Sequence, residues 1–118
     1  MDLALLKKVT LFEGLTPQQL AKIDALLEER AVPAGQHVFR EGEGGDEFYV
    51  VLSGKVRISK MVQGVGEEAL AILEPGAYFG EMALVDDTPR SADALAHVSC
   101  TLGALKRDAF DQLMFMDK

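Results

Sequence analysis

Residues 41–59 read EGEGGDEFYVVLSGKVRIS, and this stretch decides the fold class. Gly42, Gly44 and Gly45 open it with a turn, where a positive φ strains glycine least. Glu47 to Leu52 follows as a short apolar segment, and Ser53 with Gly54 turns the chain again. From Lys55 to Lys60, Val56 and Ile58 alternate with Lys55, Arg57 and Ser59, the two-residue period of a strand with one wet face. Strand, tight turn and strand together predict antiparallel β-structure.

Beyond this stretch the same pattern runs from Gly35 to Gly80, a window that holds nine of the eleven glycines. It predicts strands at His37–Arg40 and Glu68–Leu73, with a turn at Gly64 and Gly66, and further strands at Ser91–Val98 and Cys100–Leu105. Seven or eight short strands in about 70 residues suit a sandwich or a jelly-roll barrel, which manage their sheet edges in a short chain. The absence of a helical crossover between strands argues against a parallel α/β sheet. The expected fold is therefore mainly β, an eight-stranded jelly-roll β-barrel flanked by N-terminal helices and a short C-terminal helix.

The flanks carry helical signals. Thr16, Pro17 and Gln19 form a capping box with proline at the first helical position, and Leu15 and Leu20 are spaced for a hydrophobic staple. Leu20, Ile23, Leu26 and Leu27 recur at helical spacing with Lys22, Asp24 and Glu28 between them, so one helix is expected until Pro33 ends the run. A shorter helix is expected over Leu3–Val9. After Leu105, Phe110, Leu113 and Met114 share a face, and Asp108 lies where an acid favours a helix N-terminus. The chain reads as a single domain, 1–118, with a helical lead-in over 1–32, a β-barrel over 33–105 and a C-terminal helix over 106–118.

Composition narrows the function classes. In 118 residues, 19 acids against 12 bases give a formal charge of −7, so the chain lacks the positive field that duplex nucleic acid or anionic lipid selects. Neither nucleic acid nor membrane is an expected partner. No basic segment leads into a long apolar stretch, and apolar runs fall short of the roughly 20 residues that span a bilayer, so a cytoplasmic protein is expected. Cys100 is the sole cysteine and permits no internal disulfide or thiolate metal cluster; it reads as a small core hydrophobe. His37 and His97, the only histidines, lie on different strands and cannot assemble a multi-histidine metal site. Glu41, Glu43, Asp46 and Glu47 lack the spacing of a calcium loop and read as a solvated turn. With no nucleophile–base pair, paired acids or metal set, no catalytic residue is expected and the protein reads as a non-enzyme. Phe110, Met114, Phe115 and Met116 form an apolar C-terminal face, which reads as core packing or as a surface for homodimerisation.

Gly76 to Ala92, GAYFGEMALVDDTPRSA, fits neither period. It has glycines at 76 and 80, a short apolar helical turn over Met82–Val85, the acids Asp86 and Asp87, and then Thr88, Pro89, Arg90 and Ser91. Between Lys60 and Lys106 seven acids, Glu67, Glu68, Glu74, Glu81, Asp86, Asp87 and Asp93, face one base, Arg90. An unpaired buried guanidinium is costly, so Arg90 needs a partner or water. One reading is an internal ion pair with these acids, or exposure at a strand edge. The other is an exogenous anion, met by Arg90 and by backbone N–H groups of the Gly80–Ala83 turn at a helix start. Glu81, an acceptor and not a donor, then suits a pair of sugar hydroxyls. Phosphate and ribose in one pocket describe a nucleotide.

FGEMAL followed by TPRSA, with Glu81 and Arg90 nine residues apart, closely resembles the phosphate-binding cassette of cyclic nucleotide-binding domains, such as those of protein kinase A regulatory subunits and the bacterial catabolite activator family. EGEGGDEFYVVLSGKVRIS is similar to the family's Gly-rich β-roll, LFEGLTPQQLAKI to its helical lead-in, and LKRDAFDQLM to the start of its helix after the barrel. The resemblance implies that Arg90 pairs with the cyclic phosphate, helped by backbone N–H groups of Ala83 and Ser91. It implies that Glu81 holds the ribose 2′-hydroxyl and that Gly80 and Met82 add backbone contacts. The implied ligand is cAMP, with cGMP the alternative, since Ser91 stands where cGMP-selective members often carry threonine; no cofactor or metal is implied. The family's lid helix and effector segments have no counterpart before Lys118, so an open site, weaker binding and a separate effector protein or domain are expected. The alternative is a barrel that serves as an interaction or pseudo-sensor domain, with Arg90 tied to Glu81 or Asp87.

Overall fold

The computed structural model describes Val9, residues 12–80 and residues 89–109. Helix α1, Pro17–Leu26, starts where the capping box places it: Thr16 Oγ1 accepts from the Gln19 amide at 3.1 Å, and Gln19 Oε1 accepts from the Thr16 amide at 2.8 Å. Leu20 and Ile23 are buried along it, whereas Leu26 is 39% exposed and lies off the stripe.

The helix ends at Leu26, seven positions before Pro33. Leu27 is its extended C-cap, and Glu28–Val32 forms strand β1. The expected helical lead-in over 1–32 is thus corrected. Over so few residues the apolar spacing fits either period, and pairing decides: each residue from Glu28 to Val32 is matched, antiparallel, to one from Ala104 back to Cys100.

The remaining strands are β2 (His37–Phe39), β3 (Glu47–Ser53), β4 (Val56–Val62), β5 (Gly66–Leu73), β6 (Tyr78–Phe79), β7 (Asp93–Ala96) and β8 (Cys100–Lys106). They form two four-stranded sheets, β1-β8-β3-β6 and β2-β7-β4-β5, in which every pairing is antiparallel. These two strand orders, with β4 and β5 as a hairpin within the second sheet, are those of a jelly roll, as expected. The short β6 lies at the start of the pattern-breaking segment and was not anticipated. β8 runs one residue past the expected barrel end, to Lys106, before a helical turn over 107–109.

At β3 and β8 the first sheet is buried on both faces, which explains the unbroken apolar run of β3. Phe48, Val50 and Leu105 pack outward against Val9, Phe12, Leu20, Ile23 and Leu27, with the Phe12 and Phe48 rings edge-on at 6.2 Å. Tyr49, Val51, Leu102 and Ala104 face inward, across to Val56, Ala94 and Ala96 of the second sheet. Free Cys100 is buried in this inner core, and burial pushes its thiol pKa up, as suits a packing role. The expected helix over Leu3–Val9, apart from Val9 itself, the helix beyond residue 109 and the turn over Met82–Val85 lie outside the described residues. Among the described residues no helix is long and apolar enough to cross a membrane.

Candidate functional site

Arg90 is tied by its main chain to the turn before β3. Its amide donates to the Glu43 carbonyl and its carbonyl accepts from the Gly42 amide, both at 2.8 Å. This pairing turns the side chain into the end of the sandwich where β3 begins. There Nη1 donates to the Gly80 carbonyl at 3.1 Å and Nη2 to the Glu47 carbonyl at 2.8 Å. Cζ sits 4.3 Å from the centroid of the Phe39 ring. Phe39, Tyr49 and Phe79 pack as a cluster, with Tyr49 and Phe79 stacked at 5.2 Å.

Two glycines make room for this arrangement. A Cβ on Gly45 would stand 2.3 Å from Arg90 Nη2, and one on Gly80 would stand 2.9 Å from Nη1. Gly80 also has a φ of +79°, which L side chains rarely adopt.

The electrostatics follow from the partners. Arg90 is 9% exposed, and its Nε is buried without a hydrogen-bond partner. Carbonyl dipoles and a ring face orient the guanidinium without cancelling its charge. Among the described residues no carboxylate lies within ion-pair distance of it. Of the acids that the sequence offered as partners, three among the described residues are engaged elsewhere. Asp93 accepts from the Glu41 amide at 2.7 Å and lies 3.9 Å from His37; Glu67 pairs with Arg57 at 2.7 Å; Glu74 lies 3.7 Å from Lys55. A buried cation with an unmet N–H and no counter-charge among the described residues is chemically suited to an anion with several acceptor oxygens, and a phosphate fits that description.

Of the residues singled out in sequence, Gly80 and Arg90 are brought into contact, and Ser91 follows Arg90 at an exposed position. Glu81, Met82 and Ala83 lie outside the described residues, as do Asp86 and Asp87. Phe39, Gly45 and Glu47 join the site without having been singled out for it. Glu47 also corrects the reading of a solvated acidic turn. Glu41, Glu43 and Asp46 are exposed, but Glu47 is part-buried and bound to Arg30 and Tyr49. No group of three or more potential metal ligands occurs among the described residues. A cavity of about 450 Å³ lined by Val32, Pro33, Ser53, Ser99, Cys100 and Thr101 lies at the far ends of β3 and β8, away from Arg90.

The model of the cyclic nucleotide-binding domain matches residues 29–117 of the sequence. The chain belongs to that family. Its cyclic nucleotide-binding domain is 39% identical over 111 residues to the cAMP-dependent protein kinase regulatory subunit of Emericella nidulans, covering 94% of this chain and 26% of the relative. It is 39% identical over 105 residues to the cyclic AMP receptor protein of Thermus thermophilus, covering 89% of this chain and 49% of that one. Among solved structures, the regulatory domain of Toxoplasma gondii PKA with cAMP superposes with a TM-score of 0.86 at 32% identity, covering 94% of this chain and 42% of that one. The chain thus spans between a quarter and a half of the length of these relatives. The first of these relatives is named as a regulatory subunit and the second as a receptor.

Proposed function

We propose that this domain is a non-enzymatic sensor whose site at Arg90 takes the phosphate of a cyclic nucleotide, cAMP in preference to cGMP. The observation that carries the reading is the state of Arg90: buried, held by two carbonyls, with an unmet Nε and no carboxylate partner among the described residues. Relatives that the chain matches over about nine-tenths of its length are a cAMP-dependent kinase subunit and a cyclic AMP receptor, which supports cAMP as the ligand.

In this reading Arg90 offers paired N–H donors to the phosphate, and the Ala83 and Ser91 amides add to them. Glu81 accepts from the ribose 2′-hydroxyl, and Gly80 and Met82 contribute backbone contacts. The ligand is the only small molecule required; no metal or cofactor takes part. Nucleotide acts on an effector protein or domain to the extent that it binds one arrangement of the domain more tightly than another. The acid excess makes direct nucleic-acid or membrane contact unfavourable, the site of action is cytoplasmic, and a homodimer through the C-terminal helix is one route to the effector.

The test is a thermal melt of the purified protein with rising cAMP or cGMP. Binding to the native state raises the melting temperature with concentration, by about 2.7 kcal/mol of added stability at a hundred times Kd. Arg90→Ala is expected to abolish the rise while the protein still melts cooperatively, and Glu81→Ala to reduce it. No rise at millimolar concentrations of either nucleotide would sink the proposal.

A further inference from the structure

Arg90 is one of two arginines that meet at Glu47. On β1, Arg30 shares the inward face of the sheet, paired in register with buried Leu102 of β8. Its Nη1 donates to Glu47 Oε1 at 2.5 Å and its Nη2 to Oε2 at 3.1 Å, a two-pronged grip on the carboxylate. Nη2 also reaches Glu28 Oε2 at 2.9 Å, and the Tyr49 hydroxyl donates to Glu47 Oε1 at 2.9 Å. The Glu47 side chain is 14% exposed, so this carboxylate is largely sheltered from water. Meanwhile the main-chain carbonyl of the same residue accepts from Arg90. Glu47 therefore divides itself: carbonyl to Arg90, carboxylate to Arg30.

We infer that Arg30 is a positioning residue: by holding the Glu47 carboxylate on β1, it leaves Arg90 only a neutral carbonyl from Glu47 and so keeps its charge available to an anion. The inference deepens the cyclic-nucleotide reading and rests on it for the identity of the anion. Three features carry it. A glutamate side chain has three rotatable bonds, and its own carbonyl already touches the Arg90 guanidinium, so an unheld Glu47 carboxylate lies within swinging reach of that cation. In a sheltered site a carboxylate released from one guanidinium is driven to another, because an unpaired buried charge is costly. Tyr49 links the two arginines: its hydroxyl donates to the Glu47 Oε1 that Arg30 grips, and its ring packs against Phe39, the ring under the Arg90 guanidinium.

A strut that merely braced β3 would behave differently, and a double substitution separates the two roles. The measurement is cAMP affinity by calorimetry for the wild type, Arg30→Ala, Arg30→Lys and Arg30→Ala/Glu47→Gln. Arg30→Ala is expected to weaken binding about tenfold and Arg30→Lys about threefold, since lysine keeps the charge and loses the two-pronged grip. Adding Glu47→Gln to Arg30→Ala removes the competing carboxylate and is expected to restore affinity to within about threefold of the wild type. Unchanged affinity in Arg30→Ala, or no recovery in the double variant, overturns the inference. Arg30→Lys supplies the comparison if the alanine variant does not fold. A second readout needs no nucleotide: the Arg90 Nε–H resonance of the ligand-free protein, assigned by its loss in Arg90→Lys. It is expected to move in Arg30→Ala and to return in the double variant; a resonance that stays put overturns the inference. A wild type that binds no cyclic nucleotide defeats the functional proposal, while the resonance still decides the role of Arg30.

Discussion

Gly45 shows how much of the site hangs on a single missing methyl group. A Cβ there would approach Arg90 Nη2 at 2.3 Å and Cζ at 2.8 Å, atoms at the far end of a flexible side chain. Gly45→Ala should therefore push the guanidinium out of place without breaking the backbone: at least a tenfold loss of cAMP affinity, about 1.4 kcal/mol, with a melting temperature within a few degrees of wild type. Calorimetry and a thermal melt on the same sample check both halves. Arg90 stood out in the sequence as the lone base among seven acids, and both Arg90 and Gly80 through the resemblance carried by FGEMAL and TPRSA. Gly45, Phe39 and Glu47 did not. Their link to Arg90 spans long sequence separations, 43 positions for Glu47, and nothing in the run Glu41–Glu47 distinguishes the one acid that turns inward from those left in water.

Among the elements, α1 illustrates what local chemistry specifies well. Its start depends on a reciprocal pair of side chain–backbone hydrogen bonds within four residues, so the sequence places it to the residue. Thr16→Ala removes one of them and should cost about 1 kcal/mol, a fall in melting temperature of about 4 °C, with cAMP affinity unchanged because the cap is remote from Arg90. Phe48→Ala strikes the packing that holds α1 to the first sheet. Phe48 is fully buried against Phe12, so a loss of about 3–5 kcal/mol is expected, enough to leave much of the protein unfolded near 37 °C; circular dichroism melts measure it. The end of α1 was not legible in the same way. EERAV carries no strong strand signal, and it becomes β1 because β8 offers it five partners.

For the molecule as a whole, the titrating groups set a stability window. Burial raises the Glu47 pKa, but hydrogen bonds from Arg30 and Tyr49 outweigh it and hold the carboxyl below the ordinary 4.5. Hydrogen bonding from Arg57 likewise lowers the exposed Glu67. A lowered carboxyl contributes stability that is present above its unfolded value and disappears as pH falls through its folded value. Tyr49 runs the other way. Burial, with the hydrogen bond to Glu47, pushes its hydroxyl up to about 12 from the ordinary 10.0. Its contribution is full below about pH 10 and vanishes as pH rises through about 12. The melting temperature should therefore hold steady between about pH 5 and 9 and drop on both sides. Tyr49→Phe should flatten the alkaline drop, and Glu47→Gln should shrink the acid one. A melt series across pH checks both limbs; an unchanged alkaline limb in Tyr49→Phe contradicts the assignment.

Local information was enough for the β-rich architecture and the start of the capped helix, because periods, caps and glycine turns act within a few positions. Long-range pairing settled the rest. The switch from α1 into β1, the inward turn of Glu47, and the division of its two ends between Arg30 and Arg90 all arise where strands distant in sequence are brought side by side. There burial changes what a charged side chain must do: in water Glu47 would need no partner, whereas against the inner core its carboxylate requires one.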